Sequence, residues 1–402
     1  MIPFSPPRID EKTIEAVSET LRSGWITTGP KTKLLEKKIV EYCGCRSVLC
    51  LNSATAGLEL ALRWFEVGPG DEVILPAYTY TATANVVIHC GATPVFADSR
   101  TDDFNINTDS IAQKITNRTK VIMPVDFGGL PCNYDEIIKI TELNKKIFNP
   151  RGENQKKLGR ILILADSAHS FGGTYKKRRT GSLVDISVFS FHAVKNLTTA
   201  EGGALTLNLP SPFENEVIYR ELNIKSLHGQ TKDALAKTKK GEWRYDIIEA
   251  GYKCNMPDIL AAIGLVELER YDTETKQRRR QIVEYYQNEF GKYDWAELPV
   301  FKDDVRESSY HLYPLRIKNI NEVKRDSVIQ KVFEKEVSVN VHFIPLPMMS
   351  FYKNLGFKIE DYPVAWDNYS REITLPVYYN LTDEQLKTIV AAVTNSVKEV
   401  CL

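Results

Sequence analysis

A lysine in a polar turn between two short apolar segments has the most distinctive chemistry in this sequence. Residues 185–191 alternate and are rich in β-formers, residues 204–207 are apolar again, and Lys195 lies between them. Burial of an ammonium is costly, so a lysine held between strands of a buried sheet has a lowered pKa. Such a lysine forms a Schiff base with an aldehyde. Because an isolated lysine more commonly extends its amine into solvent, other residues must decide between these two interpretations.

A second stretch has the composition of an anion-binding turn. The apolar strand predicted at 47–51 runs into the small residues 52–57 and then into an apolar helical pattern. The first N–H groups of a helix lack partners within the helix, and its dipole favours a negative charge there. Ser53 and Thr55 add hydroxyl donors. A plain N-cap explains the same residues at least as well.

Acidic and aromatic residues follow two further predicted strands. Asp166 ends the apolar run 161–165, where a buried carboxylate is costly unless it meets a cation. Tyr78 and Tyr80 follow the strand predicted at 72–75, on the side of an open α/β sheet where ligands bind. A tyrosine ring at this point stacks on a flat ligand or packs as an ordinary core aromatic.

Together these residues match what pyridoxal phosphate needs from a protein. A lysine holds the aldehyde, an anion site binds the phosphate, a carboxylate pairs with the ring nitrogen, and a flat side chain covers the ring. The lysine is Lys195, and the anion site is the turn at 53–55 together with Ser190. The carboxylate is Asp166, and the flat side chain is Tyr80. Each signal is weak alone, and their joint occurrence at strand ends is far stronger.

The elements around these residues alternate between strand and helix in the first half of the chain. This alternation predicts an α/β layer fold with a mostly parallel sheet. The basic segment 144–160 is predicted to be a surface excursion away from the chemistry, and the lysine-rich segment 230–241 to be a mobile loop.

A long helical pattern from Pro257 is predicted to link this half to a smaller α+β domain. We therefore expect a large cofactor-binding domain at 1–255 and a linking helix with a small C-terminal domain at 256–402. Strands are predicted within the latter at 310–317 and 339–343.

Composition excludes several other classes of protein. Lys+Arg and Asp+Glu are equal at 52 each, which gives no support for nucleic acid or an anionic membrane as a partner. No apolar run approaches the ~20 residues of a membrane span, and residues 1–10 do not resemble a signal peptide. The seven scattered cysteines contain no CxxC pair, which predicts no metal site and a reduced, cytoplasmic location.

Several blocks of the sequence carry a family resemblance. They are SGWITTGP, PAYTYTATANVV, GATPVFAD, ADSAHS, FSFHAVKNLTTAEGG, GYKCNMPDILAAIG and LPVYYNLTDEQ. Over nearly its whole length the chain resembles the sugar aminotransferases of the DegT/DnrJ/EryC1/StrS group, and the SFHAVKN…EGG block is the most specific. The resemblance implies the type I fold of pyridoxal-phosphate-dependent transferases, with a mostly parallel seven-stranded sheet and a smaller C-terminal domain.

The resemblance also implies roles for individual residues. Lys195 would bind the cofactor covalently and then shuttle the proton, Asp166 would pair with the pyridine nitrogen, and Tyr80 would stack on the ring. The residues implied at the phosphate are Ala54, Thr55 and Ser190, beside Ser53 of the same turn.

Three further positions depart from the family pattern. His169 stands where many members have glutamine, near the phenolic oxygen of the cofactor, and a histidine makes a similar hydrogen bond. Lys253 and Asn255 replace the usual asparagine and arginine of a block that reaches into a second subunit. The resemblance thus implies a homodimer with shared active sites.

The resemblance implies an aminotransferase acting on a nucleotide-linked keto sugar, with glutamate as amino donor and pyridoxamine phosphate as intermediate, in amino-sugar or surface-polysaccharide synthesis. Alternatives are a relative that builds an aromatic amine precursor, a non-catalytic regulator that holds the cofactor, and a dehydratase, although dehydratase relatives have histidine in place of Lys195. A nicotinamide enzyme is disfavoured because no GxGxxG follows an early strand. Further candidates for the pocket are His311, Tyr313 and His342, although such histidines are more often structural.

Overall fold

The computed structural model describes residues 1–232 and 244–401. The helices of the described chain are α1 (Glu11–Arg22), α2 (Pro30–Cys43), α3 (Ala54–Trp64), α4 (Ala82–His89), α5 (Thr108–Lys114), α6 (Tyr134–Leu143), α7 (Glu153–Leu158), α8 (Asn215–Ser226), α9 (Asp258–Glu269), α10 (Lys276–Phe290), α11 (Glu322–Glu334), α12 (Ser350–Asn354), α13 (Pro363–Arg371) and α14 (Asp383–Cys401). Of the mobile loop predicted at 230–241, residues 233–241 lie outside the described residues.

The strands form one large and two small sheets. They are β1 (Ser47–Leu51), β2 (Glu72–Pro76), β3 (Thr93–Ala97), β4 (Thr119–Ile122), β5 (Leu162–Asp166), β6 (Thr174–Tyr175), β7 (Arg178–Arg179), β8 (Ile186–Ser190), β9 (Gly203–Leu207), β10 (Ala296–Glu297), β11 (Arg306–Glu307), β12 (Tyr313–Ile317) and β13 (Glu372–Leu375).

The large sheet has seven strands in the order β1-β9-β8-β5-β4-β2-β3. β9 runs antiparallel to both of its neighbours, and the other strand pairs are parallel. Strands β1, β2, β4 and β5 are buried along their whole length, because helices cover both faces of the sheet. The predicted α/β fold with a mostly parallel seven-stranded sheet is confirmed.

The C-terminal part has its own core. The antiparallel sheet β10-β12-β13 packs with α10, α11 and α14 around buried aliphatic and aromatic side chains. The start of the chain also joins this part, because the Ile2 N–H donates to the carbonyl of Glu336 at 2.7 Å. Strand β11 pairs with β6 of the first half. The division at 255/256 stays a prediction, and these two contacts cross it.

Two details differ from the predicted elements. The long helical pattern after Pro257 is α9, a π-helical turn at Tyr271–Thr275, and α10. The strand predicted at 339–343 is wrong, since this segment forms only a single bridge, between Asn340 and Thr374. Across the described residues, no helix is long and apolar enough to cross a membrane.

The predicted excursion at 144–160 is anchored to the large domain. It contains the short helix α7, and the buried Gln155 side chain donates to the Phe65 carbonyl at 2.9 Å. None of its residues lines the cavity described below.

Candidate active site

A cavity of ≈ 350 Å³ opens at the carboxyl ends of the central strands. Eight residues proposed from the sequence line it: Ser53, Ala54, Thr55, Tyr80, Asp166, His169, Ser190 and Lys195. Phe4, near the N-terminus, also lines the cavity. The C-terminal half completes the wall with side chains that include His311, His342 and Phe343. Both halves of the chain therefore build this one site.

Two of the proposed residues lie elsewhere in the described chain. The Lys253 amine donates to the Asn255 side-chain oxygen, and the Asn255 amide donates to the Thr28 hydroxyl. Neither Lys253 nor Asn255 lines the cavity. Asn255 instead bridges the end of β1 at Leu51.

Lys195 lies in the turn after β8, and its side chain lines the cavity. Among the residues that the structure describes, its Nζ has no hydrogen-bond acceptor and no carboxylate within ion-pair distance. Burial lowers the pKa of Lys195 to about 8, and the nearby Asp166 charge opposes this shift. A substantial fraction of the amine is therefore neutral, and thus nucleophilic, near neutral pH.

Asp166 is held at the end of β5 with both carboxylate oxygens bonded. Oδ2 accepts from the Thr83 hydroxyl at 2.8 Å, and Oδ1 accepts from the Ala168 N–H at 3.2 Å. Burial raises the pKa of Asp166, while these bonds and the Lys195 charge oppose the rise. The carboxylate lines the cavity, so it is oriented to pair with a cationic group placed there.

The turn at 53–55 is shaped by both an N-cap and a close approach of two backbones. The Ser53 hydroxyl accepts from the Ala56 N–H at 3.1 Å and so caps α3. Gly203 of β9 passes so near that a Cβ there would lie 2.5 Å from the Ala54 nitrogen. The N-terminus of α3 and the Ser190 hydroxyl thus face one end of the cavity, where the first N–H groups of the helix and a hydroxyl can bind an anion.

His169 enters the cavity as a neutral imidazole. Its Nδ1 accepts from the Gly128 N–H at 3.3 Å, so the remaining proton is on Nε2. Burial, together with the positive charge of Lys195, holds the pKa of His169 well below its usual range. The ring can therefore donate a hydrogen bond from Nε2 to an anionic oxygen in the cavity.

Tyr80 lies at the mouth of the cavity and is 62% exposed. Its ring centroid is 5.9 Å from that of Phe343. The exposed ring is therefore available to cover a flat ligand. Tyr78 is instead a buried aromatic whose hydroxyl donates to the His342 carbonyl.

Sequence reasoning missed three residues that position this site. Thr83 orients Asp166, and its signal was the third threonine in the TYTAT block. Asp126 lies buried beneath and accepts from the hydroxyls of Ser167 and Ser170 at 3.0 and 2.6 Å, which fixes the loop after β5. No local pattern distinguishes this aspartate from an ordinary turn residue.

Asn196 is the third. Its amide donates to the Ser309 carbonyl at 2.8 Å and to the Tyr271 hydroxyl at 3.4 Å, and its oxygen lies 2.8 Å from His311 Nδ1. The residue next to Lys195 thereby joins the π-helical turn and the segment before β12. Three further candidates for the pocket were proposed from the sequence. Of these, His311 and His342 line the cavity, whereas Tyr313 lies in the C-terminal core.

The donor set fits pyridoxal phosphate. It combines a buried amine with a lowered pKa, a carboxylate held by hydrogen bonds and a neutral imidazole that can donate. A helix N-terminus that Gly203 approaches closely completes the set. The family profile of the DegT/DnrJ/EryC1/StrS aminotransferases matches residues 7–394. The chain belongs to this family. It is accordingly a pyridoxal-phosphate-dependent aminotransferase, as the resemblance implied.

Individual relatives agree with this membership. MJ1066 of Methanocaldococcus jannaschii, an uncharacterized protein, is 40% identical over 99% of this chain and 98% of its own. The spore coat polysaccharide biosynthesis protein SpsC of Bacillus subtilis is 37% identical over 99% of this chain and 97% of its own. The structure of Spr1654 from Streptococcus pneumoniae, assigned as a sugar aminotransferase and solved in its PMP form, is 47% identical with a TM-score of 0.96 over 100% of both chains.

Proposed function

We propose that this aminotransferase moves an amino group from glutamate to a nucleotide-linked keto sugar, in the synthesis of an amino sugar for a surface polysaccharide. The observation that carries the proposal is the shared cavity in which the Lys195 amine and the Asp166 carboxylate interact electrostatically. The name of SpsC supports the polysaccharide context. The wall also offers imidazoles and aromatic faces, which suit the polyhydroxylated sugar ring of such a substrate.

The cofactor supplies an aldehyde that accepts amines and a ring that withdraws electrons. Ala54, Thr55 and Ser190, with Ser53 supporting the turn, would hold its phosphate. Asp166 would pair with the ring nitrogen, His169 would donate to the phenolic oxygen, and Tyr80 would cover the ring.

The proton chemistry falls to Lys195. With its pKa lowered to about 8, Nζ accepts and returns a proton near neutral pH without a large cost in either direction. The hydrogen bonds from Thr83 and Ala168 favour the ionised form of Asp166, against the burial that raises its pKa. Asp166 ends β5, and Lys195 lies in the turn between the neighbouring strand β8 and β9, so the sheet sets their relative positions.

A homodimer would complete the site. Lys253 and Asn255 lie outside the cavity of their own chain and are held together by a hydrogen bond. We propose that they contact the cofactor in the cavity of a second copy of the chain. The dimer, the cytoplasmic location and the division at 255/256 remain predictions from the sequence.

The substrate proposal is tested by half-reactions. The protein, loaded with pyridoxal phosphate, is converted to its amine form with L-glutamate and then mixed with a panel of nucleotide-linked keto sugars, followed by absorbance. We expect at least one keto sugar to restore the aldehyde form. The substrate class is wrong when no keto sugar reacts and free 2-oxo acids do.

The lysine assignment is tested on the same material. Borohydride reduction should fix the cofactor to the peptide containing Lys195, and Lys195→Ala should abolish both this labelling and turnover. Lys398→Ala, at an exposed lysine of α14, is the matched control and should change neither. Protein-linked cofactor in the Lys195→Ala variant would disprove the assignment.

A further inference from the structure

His342 contributes an imidazole to the cavity wall with one nitrogen committed and one open. Its Nδ1 lies 3.0 Å from the Thr374 hydroxyl oxygen. The Phe4 ring stacks on it at 5.6 Å and 22°. Within residues 1–232 and 244–401, Nε2 has no hydrogen-bond partner. Burial and the Lys195 charge lower the pKa of His342 to about 3, so the ring stays neutral and exists as one of two tautomers.

Behind His342, Thr374 connects to a buried carboxyl group. Glu372 and Thr374 are two residues apart on β13, so their side chains share one face of the strand, and both are 0% exposed. The Thr374 hydroxyl is hydrogen-bonded to Glu372 Oε1. Glu372 Oε2 accepts from the backbone N–H of His342 at 3.1 Å. The carboxyl and the imidazole are thus joined through a single hydroxyl.

The cations around Glu372 are engaged with other groups. Arg325 of α11 donates to the backbone carbonyl of Glu372 at 3.0 Å, and Arg316 of β12 pairs with Glu297 at 2.5 Å. In the described parts of the chain, no cation lies within ion-pair distance of the Glu372 carboxyl. The Tyr78 hydroxyl faces the same region and stays protonated, since burial raises its pKa.

Burial therefore dominates the titration of Glu372. It raises the pKa of Glu372 to about 8, against the hydrogen bonds from Thr374 and His342 and the charges of Arg325 and Arg316. Facing His342 across the cavity are Lys195, which lowers its pKa, and the neutral rings of His169 and His311. The carboxyl is the group of this set that changes charge near pH 8 without touching the cavity.

Two arrangements of protons satisfy this chain of bonds. With Glu372 protonated, the carboxyl donates to Thr374, the Thr374 hydroxyl donates to Nδ1, and the His342 proton is on Nε2. With Glu372 ionised, Thr374 donates to the carboxylate, Nδ1–H donates to Thr374, and Nε2 carries a lone pair. The arrangements differ by one proton, which leaves or enters at Nε2.

We propose that Glu372, Thr374 and His342 form a proton relay in which the state of the buried carboxyl decides whether His342 offers the cavity a hydrogen-bond donor or an acceptor. Glu372 and Thr374 are positioning residues, since neither contacts the cavity. This part of the proposal rests on the proposed function: the group that distinguishes the two forms is the carbonyl oxygen of the keto sugar. A carbonyl oxygen requires the donor form, and a hydroxyl accepts either form.

The relay is tested directly by NMR on the cofactor-loaded protein labelled with ¹⁵N-histidine. The chain has 6 histidines, and His342→Gln assigns the relevant resonances. We expect His342 to change from the Nε2–H to the Nδ1–H tautomer as the pH rises through about 8. A tautomer that stays the same from pH 6 to 10 would overturn the proposal.

Three variants distinguish a loss of the relay from a general loss of stability. In Glu372→Gln the amide oxygen accepts from the His342 N–H and the amide donates to Thr374, so His342 should stay Nε2–H at every pH. Thr374→Val should uncouple the tautomer from pH, and Thr374→Ser, which keeps the hydroxyl, should restore the coupling. A pH-dependent tautomer in Thr374→Val, or none in Thr374→Ser, contradicts the relay, even when the Glu372 variant does not fold.

Kinetics then connect the relay to the substrate. In the native protein and in Thr374→Ser, His342 loses its donor form as the pH rises. The KM for the keto sugar should therefore increase by about five- to tenfold between pH 7 and 9, with little change in kcat. In Glu372→Gln the KM should be flat in pH. Failure of every keto sugar to react would disprove the proposed substrate while leaving the NMR result intact. A KM equally pH-dependent in Glu372→Gln would disprove the role of the relay.

Discussion

Removal of the Asp166 charge should make Lys195 more reactive as an amine while reducing its use as a catalyst. The pKa of Lys195 is lowered to about 8 by burial, and Asp166 is the group that opposes this shift. Asp166→Asn should therefore lower the pKa of Lys195 further. The same change removes the group that we propose as partner of the ring nitrogen, so turnover should fall.

The size of the effect follows from the neutral fraction of the amine. At pH 7.5 an amine with a pKa of about 8 is about one quarter neutral, whereas a lysine of ordinary pKa is neutral in about one part per thousand. Lys195 should thus react about two hundredfold faster than an ordinary lysine of equal access. Because a quarter is already neutral, Asp166→Asn can accelerate the reaction by at most about fourfold.

The assay is reductive methylation of the cofactor-free protein with labelled formaldehyde across pH 6 to 11, read as the rate at the peptide containing Lys195. The midpoint should lie near pH 8 in the native protein and lower in Asp166→Asn. Asp109→Asn, an exposed carboxylate in the first turn of α5, is the control and should not move the midpoint. A native midpoint at the ordinary lysine value, or an upward shift in Asp166→Asn, would refute the reasoning.

Three further predictions concern the support of the site. Gly203→Ala should weaken cofactor binding at least tenfold by fluorescence titration, because the new Cβ would lie 2.5 Å from the Ala54 nitrogen, whereas Gly68→Ala meets only one atom at 3.9 Å and should bind normally. Ser53→Ala should lower the free energy of unfolding by about 1 kcal/mol through loss of the N-cap, measured by urea denaturation. Asn196→Ala should lower it by about 2–3 kcal/mol, because buried partners from two other segments lose hydrogen bonds. Equal stability of the Asn196 variant and the native protein would contradict the assigned bonds.

The strand ends that carry the site could be predicted because each has a local signal. The apolar run 161–165 terminates at Asp166, and the turn between two β-rich segments holds Lys195, so alternation and polarity were enough to place both at one edge of the sheet. The family motifs then indicated which small residues form the turn that we propose for the phosphate. The antiparallel direction of β9 was not predictable, since a pattern of apolar residues is the same in both directions.

Contacts between residues that are distant along the chain could not be predicted from the sequence, for a physical reason. Asn196 meets Ser309 and Tyr271 only after the chain has folded, and Glu372 acquires its raised pKa only through burial among residues far along the chain. The segment at 339–343 has a β-rich composition, yet it turns into the cavity, where His342 and Phe343 face the site and do not extend a sheet. Composition describes what a residue can do, and tertiary contacts decide which option it takes.

The bonds of Asn196 have a consequence for chimeric enzymes assembled from two members of this family. A crossover at residue 256 leaves Asn196 on one parental fragment and its partners Tyr271, Ser309 and His311 on the other. Any residue at 309 supplies the same backbone carbonyl, so recombinants whose second parent lacks Tyr271 or His311 are the ones that should express poorly or misplace the reactive lysine. Restoring these two side chains in the donor fragment should rescue them, which makes their positions the first to check when C-terminal halves are exchanged.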